Sequence, residues 1–151
     1  MRKFIICAMS AILLGGCAAR DKTPVPKEVP QIESAIPVDM VLTFMSNTVL
    51  MSEVTNMRVH PEEYQDKVVR LAGTFGVQQD VSNKSVIYNC DITDGTGCCP
   101  SGSSIQLFFE EEPEDLPTLG ENIIVQGVVN YDKGTYYMNM QLLHAEIWIY
   151  D

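Results

Sequence analysis

Three of the five cysteines lie within ten residues, in the stretch 90–100. Cys90 is followed by a turn-forming Asp/Gly/Thr segment, then by the adjacent pair Cys98 and Cys99, and a proline ends the stretch. Thiols at this density do one of three things: they form a disulfide, they bind a soft metal ion, or they exchange disulfides. The sequence alone leaves all three open.

A disulfide is the interpretation that we favour. Cys90 would pair with Cys98 or Cys99, which would close the turn between two strand-like runs and leave one thiol over. Closing so short a loop stabilises a domain by roughly 2 to 3 kcal/mol in the chain-entropy model. An oxidising compartment is required, and the N-terminus predicts one.

A metal site is the second interpretation. Thiolates of Cys90, Cys98 and Cys99 suit Zn(II) or Cu(I), but the two-residue cysteine spacing typical of structural zinc sites is absent. A fourth ligand would come from elsewhere in the chain: Asp94, Met138, Met140 or His144. Met140 and His144 are the candidates that we retain, with Zn or Cu as the implied cofactor.

Enzymatic chemistry is the weakest interpretation. A redox thiol needs a depressed pKa from nearby cations or a helix N-terminus, whereas Asp91 and Asp94 carry the opposite sign. His60 and His144 are the only histidines, and no Ser/His/Asp constellation accompanies them. We therefore expect a non-enzymatic protein.

The N-terminus has the pattern of an export signal. Arg2 and Lys3 precede an apolar run over residues 4–14, which is the length of a signal h-region and too short to span a bilayer. The following Leu14-Gly15-Gly16-Cys17 resembles the processing site of bacterial lipoproteins. This resemblance implies removal of residues 1–16 as a lipoprotein signal peptide and lipidation of Cys17.

Lipidation at Cys17 implies a cellular location, with a membrane as the first interaction partner. The chain would be held by its N-terminal lipid at the cell membrane or the outer membrane, on the extracytoplasmic side. In a cell with two membranes, the resemblance favours the outer membrane, because Ala18 stands where an aspartate commonly retains lipoproteins at the inner membrane. Residues 17–37 contain four prolines and read as an extended tether.

Charge excludes one class of partner. The formal charge is −10, and loss of Arg2 and Lys3 with the signal changes it to −12. Binding to nucleic acid depends on phosphates neutralised by a basic face, so we expect no nucleic-acid partner.

Residues 38–151 predict one mainly β domain. A short extended piece at 40–44 leads into an amphipathic helix over 45–58, whose apolar face carries Met45, Val49, Leu50, Glu53, Val54 and Met57. Five strand-like runs follow, over 67–78, 84–91, 105–109, 122–131 and 136–150. Runs of this size, some bent by glycine, predict a small five-stranded barrel of the oligonucleotide/oligosaccharide-binding (OB) type with one N-terminal helix.

The same region resembles a group of uncharacterised bacterial lipoproteins with an OB-like barrel. The resemblance rests on the following residues: Leu42-Thr43-Phe44-Met45-Ser46, Glu53-Val54, Asn56-Met57, Pro61-Glu62-Glu63-Tyr64, Lys67, Gly73-Thr74-Phe75, Cys90, Asp94, Cys98-Cys99, Gly120, Gly127 and Ala145-Glu146. This chain departs from the group by having no cysteine after Tyr136-Tyr137. The resemblance implies a fold and an envelope location, with an unidentified protein or small ligand as partner.

Overall fold

The computed structural model describes residues 32, 34, 36–93, 104–133 and 138–150. The predicted signal peptide, Cys17, most of the tether, Cys98 and Cys99 lie outside these residues. Within them, the elements are β1 (Met40–Leu42), α1 (Asn47–Val59), α2 (Pro61–Tyr64), β2 (Val68–Gln79), β3 (Val86–Asp91), β4 (Ser104–Phe108), β5 (Asn122–Lys133) and β6 (Met138–Ile149). Neither described helix has the length and apolar character of a membrane span.

The prediction of a mainly β domain is confirmed, but the strand count of five is wrong. The five predicted runs correspond to β2 through β6, and the extended piece before the helix supplies a sixth strand, β1. The short β1 joins the sheet because Asp39 brackets its start: its carboxylate accepts from Val68 N at 2.8 Å and its N–H donates to Val68 O at 2.9 Å.

The six strands form one sheet in the order β1-β2-β3-β4-β6-β5. The pairs β1–β2 and β4–β6 are parallel, and the other pairs are antiparallel. Strand β2 also pairs with β5, through Val68 to Thr74, while Thr74 to Gln79 pair with β3. The succession of pairings that starts at β2 therefore returns to β2.

Helix α1 covers the core with one stripe of side chains. Ser46 caps it by accepting from Val49 N at 3.5 Å, and Leu50, Val54 and Met57 are buried. Met45 and Val49, which were predicted to share that apolar face, are 38% and 51% exposed. The buried stripe follows the i, i+4, i+7 spacing of one helix face. Val49 lies outside this stripe, and Met45 precedes the helix.

Two glycines let β2 lie close to β3. A Cβ at Gly73 would stand 2.5 Å from Cys90 Sγ and 2.8 Å from Asp91 O, and a Cβ at Gly76 would collide with the Asp91 carboxylate. The two glycines face opposite sides of the sheet, as strand alternation requires. The Cys90 thiol therefore occupies side-chain space on the core face, and the Asp91 carboxylate occupies it on the outer face.

The end of the predicted tether is bound to the domain. Gln126, which is 1% exposed, donates from Nε2 to Ser34 Oγ at 2.7 Å and to Ile36 O at 3.1 Å. Its Oε1 accepts from Arg70 Nε and Nη2 at 2.8 and 2.6 Å. We call Ser34 together with residues 36–39 the strap, because Ser34 and Ile36 contact this buried amide. These contacts extend to Ser34 and Ile36, which precede residue 38, the predicted start of the domain.

Substitution of Gly73 tests the close approach of β2 and β3. We expect Gly73→Ala to lower the free energy of unfolding by about 1 to 3 kcal/mol, because the new methyl group overpacks the core against Cys90 and a backbone carbonyl. Chemical denaturation of the purified protein measures this. In a double-mutant cycle, Cys90→Ala should relieve part of the cost, because only the Asp91 carbonyl contact then remains. Strictly additive effects would contradict the packing described.

Candidate functional site

Cys90 lies in the hydrophobic core. Its side chain is fully buried near the end of β3, in register with Phe75 on β2 and Ile105 on β4. Cys90 is a free thiol within the part of the chain that the structure describes. Its two predicted disulfide partners, Cys98 and Cys99, lie outside that part, so the predicted disulfide stays a prediction.

The surroundings of Cys90 oppose thiolate formation. Burial raises the pKa of the Cys90 thiol far above its usual range, and the charge of neighbouring Asp91 raises it further. Nucleophilic, redox and metal-ligating cysteines all act as thiolates. Cys90 therefore packs as a small apolar side chain at neutral pH.

The two retained candidates for a fourth metal ligand lie in different environments. Met140 is 2% exposed and belongs to the same core as Cys90. Strand β4 lies between β3 and β6, and two strand spacings amount to about 9 to 10 Å between the backbones. His144 is exposed, with Nδ1 3.5 Å from Glu110 Oε2, and has a φ of 51° at the irregularity in the β5–β6 pairing. The structure thus separates His144 from the core thiol.

Among the described residues, one further group has potential metal ligands close together. His60, Glu62 and Glu63 each offer a ligand atom, and these atoms lie within 4.8 Å of one another. All three are exposed, they belong to four consecutive residues, and carboxylates of this kind are common on protein surfaces. Nothing else around them indicates an ion.

A cleft on the outer face of β2, β3 and β4 is the feature that sequence reasoning missed. Its volume is about 370 Å³. Two cross-strand rows form its floor: Thr74, Asp91 and Ser104 in one row, and Gly76 with Asn89 in the next. The remaining lining residues are Val77, Gln78, Ile92, Thr93 and Leu119.

Among the residues that the structure describes, Asp91 is the only charged side chain that lines this cleft. Its Oδ1 accepts from Ser104 Oγ at 2.6 Å, and its backbone carbonyl accepts from Thr74 Oγ1 at 3.3 Å. The carboxylate lies against Gly76, where any larger residue would displace it. Three neighbouring strands therefore fix one negative charge at the floor of an open cleft.

The polar composition of the cleft indicates what it could bind. Thr74, Asn89 and Ser104 surround the carboxylate with hydroxyl and amide groups, while Leu119 and Val77 give it apolar walls that are 72% and 47% exposed. None of the described residues that line the cleft is cationic or aromatic. An anion would meet Asp91 without a compensating charge, whereas a ligand with N–H or O–H donors would satisfy it.

The sequence contains the residues that form this cleft, but it does not show that they meet. Gly76 and Asp91 are separated by 14 residues of chain, and their contact depends on the register of β2 and β3. A shift of one residue would move Asp91 to the core face. Sequence reasoning singled out Asp91 only as a charge beside Cys90.

The accessibility of Cys90 can be measured directly. We expect Cys90 to resist alkylation by iodoacetamide at pH 8 in the folded protein and to react rapidly in denaturant, because burial both excludes the reagent and keeps the thiol protonated. Peptide mapping by mass spectrometry after alkylation, with and without prior reduction, reads this at each cysteine. Labelling of Cys90 in the native protein as fast as in denaturant would contradict its place in the core.

Comparison of the chain with protein-family models, with curated proteins and with solved structures found no match.

Proposed function

We propose that this chain is a membrane-anchored envelope lipoprotein whose domain acts as a non-enzymatic binding module. The observation that carries the binding role is the cleft, in which the half-buried Asp91 carboxylate is held by Ser104 and lies over Gly76. Anchoring is supported by the sequence of residues 1–17. We further propose that the ligand is small and presents hydrogen-bond donors, most simply a protonated amine.

We also propose that the sheet closes as an OB-like barrel made of β2 to β6. The support is the cycle of pairings from β2 through β3, β4, β6 and β5 back to β2, together with the parallel pairing of β4 with β6. A sheet that closes on itself leaves few unpaired edges, and β1 would then lie outside the cycle beside β2.

Electrostatics support the choice of an amine. The predicted mature chain carries a net charge of −12, which attracts small cations and repels anions over the whole surface. Asp91 adds a local acceptor, and Thr74 and Asn89 add uncharged polar groups beside it. An ammonium group would make a charge-assisted hydrogen bond with the carboxylate.

The alternative function, metal binding or thiol redox chemistry through Cys90, Cys98 and Cys99, receives less support. The raised pKa of the Cys90 thiol opposes its use as a thiolate. Metal analysis together with the intact mass of the purified chain tests this alternative. A stoichiometric metal ion in the wild-type chain that is absent from the Cys90→Ser variant would support the metal-binding alternative.

The ligand class can be tested at Asp91. We expect lysine amide and arginine amide to shift the backbone amide NMR signals of Asn89, Asp91 and Ser104. Asp91→Asn should weaken this binding about tenfold or more, since removal of one charge-assisted hydrogen bond costs roughly 1.5 to 3 kcal/mol. Asp115→Asn is the matched control, because it removes the same charge from an exposed loop residue that does not line the cleft. If both variants weakened amine binding equally, net charge alone would explain the effect, and the proposed role of Asp91 would be wrong.

Anchoring is tested separately at Cys17. The wild-type chain should fractionate with membranes and carry a lipid mass, and Cys17→Ser should be released to the soluble fraction, because the lipid supplies the attachment. Flotation and intact mass measure both properties. A Cys17→Ser variant that stays with membranes and keeps its processing would refute the lipidated cysteine.

A further inference from the structure

A short turn borders β2 just beyond the point where its pairing with β5 ends. That pairing ends at Thr74. At the next residue of β2, Phe75 N donates to Glu121 O at 2.8 Å, and Phe75 O accepts from Gly120 N at 2.8 Å. Residues 118–121 therefore continue the hydrogen-bonded ladder on the side of β2 that faces away from β3.

The turn is fixed from within by Glu121. Its Oε2 accepts from Thr118 N at 2.7 Å and from Thr118 Oγ1 at 2.8 Å, and its N–H donates to Thr118 O at 3.0 Å. Gly120 has a φ of 84°, which is the positive value that a type II turn requires at its third residue. The backbone N–H and the hydroxyl of Thr118 hold the pKa of the Glu121 carboxyl below its usual range, so this acceptor is charged at neutral pH.

Leu119 is the apolar side chain that this turn carries. It is 72% exposed, and it lines the same cleft as Asp91. A single exposed leucine is ordinary on a protein surface. At Leu119, however, hydrogen bonds hold the backbone on both sides, so the side chain is kept at the wall of a cleft whose floor carries a charge.

The Asp91 carboxylate and the Leu119 side chain belong to the two neighbours of one strand. β3 lies on one side of β2 and the turn lies on the other, and the carboxylate reaches over Gly76 of β2. Neighbouring strands are about 4.8 Å apart, so the charge lies about one such spacing from the turn. A ligand whose ammonium group binds the carboxylate would therefore meet Leu119 a few carbons away.

We propose that Leu119 makes the cleft selective for amines that carry an apolar group a few carbons from the ammonium group. This inference rests on the proposed function, which supplies the amine, and it adds the second half of the ligand. A ligand methyl group against Leu119 leaves water favourably, whereas a hydroxyl at the same place loses its bond to water and gains none from leucine. The ligand class is therefore an alkylamine or arylalkylamine rather than an amino alcohol.

Two isosteric amines measure this selectivity. Pentylamine and an aminobutanol with its amine and hydroxyl at opposite ends differ only in the terminal methyl or hydroxyl group. The protein is the full chain with Cys17→Ser, so that no lipid competes for the alkyl chain. We expect both amines to shift the backbone amide NMR signal of Asp91, and pentylamine to bind about three- to tenfold more tightly and to shift Leu119 as well.

Substitutions at Leu119 assign the preference to its side chain. Leu119→Ser should bring the ratio of the two dissociation constants down to about one, and Leu119→Met, which stays apolar, should retain most of it. Val81→Ser is the matched control and should keep the wild-type ratio, because Val81 is 96% exposed and does not line the cleft. Circular dichroism checks the fold of each variant, and Leu119→Gln takes the place of Leu119→Ser if that variant does not fold.

Glu121 is a positioning residue in this inference. Glu121→Ala releases Thr118, so it should lower the heteronuclear NOE of the Leu119 amide and reduce the ratio of the two dissociation constants. Glu114→Ala removes the same charge from an exposed residue outside the turn and should change neither quantity. A Leu119 amide that is as rigid in Glu121→Ala as in the wild type would contradict the role of Glu121.

The outcomes separate this inference from the proposed function. If both amines bind equally well and Asp91→Asn weakens both, or if Leu119→Ser keeps the wild-type ratio, the selectivity is wrong and the amine site stands. If neither amine shifts the Asp91 signal, or if Asp91→Asn leaves both affinities unchanged, the proposed function is wrong and the selectivity is wrong with it.

Discussion

The close approach of β2 to β3 is the constraint on which the rest of the structure depends. At Gly73 the absence of a side chain admits the Cys90 thiol into the core, and at Gly76 it admits the Asp91 carboxylate on the opposite face. Because the two glycines are three positions apart on one strand, they serve opposite faces of the sheet. At Thr74, between them, β2 exchanges one neighbour for another, pairing with β5 before this point and with β3 after it.

Because of this arrangement, the adjacent residues Cys90 and Asp91 lie on opposite faces of the sheet: the first contributes to stability and the second to the cleft. Cys90 is enclosed by Phe75 and Ile105 and contributes packing, whereas Asp91 presents its charge to solvent between Thr74 and Ser104. The charge also acts on the thiol, because it adds to the effect of burial in raising the pKa of Cys90. The negative group at the floor of the cleft therefore adds to burial in disfavouring a thiolate at Cys90.

Much of the fold could be predicted because its signals are local. Alternation and turn residues located β2 to β6 within a few positions, and the spacing of Leu50, Val54 and Met57 located α1. The signals failed where a residue's role depends on distant partners. The sixth strand exists because Asp39 meets Val68, and the strap belongs to the domain because Gln126 lies behind it. The cleft depends on strand register, and the sequence indicated Asp91 only as a charged neighbour of Cys90.

The strap also determines which contacts a pulling force on the N-terminal side reaches first. A pull on the N-terminal end of the described chain first reaches the two hydrogen bonds from Gln126 to Ser34 and Ile36. The Asp39 contacts and the β1–β2 ladder come next, and α1 comes only after them. The hydrogen bonds of Gln126 with Ser34, Ile36 and Arg70 thus lie between the start of the described chain and the helix that covers the core, and a pull on that end breaks them before it reaches the helix.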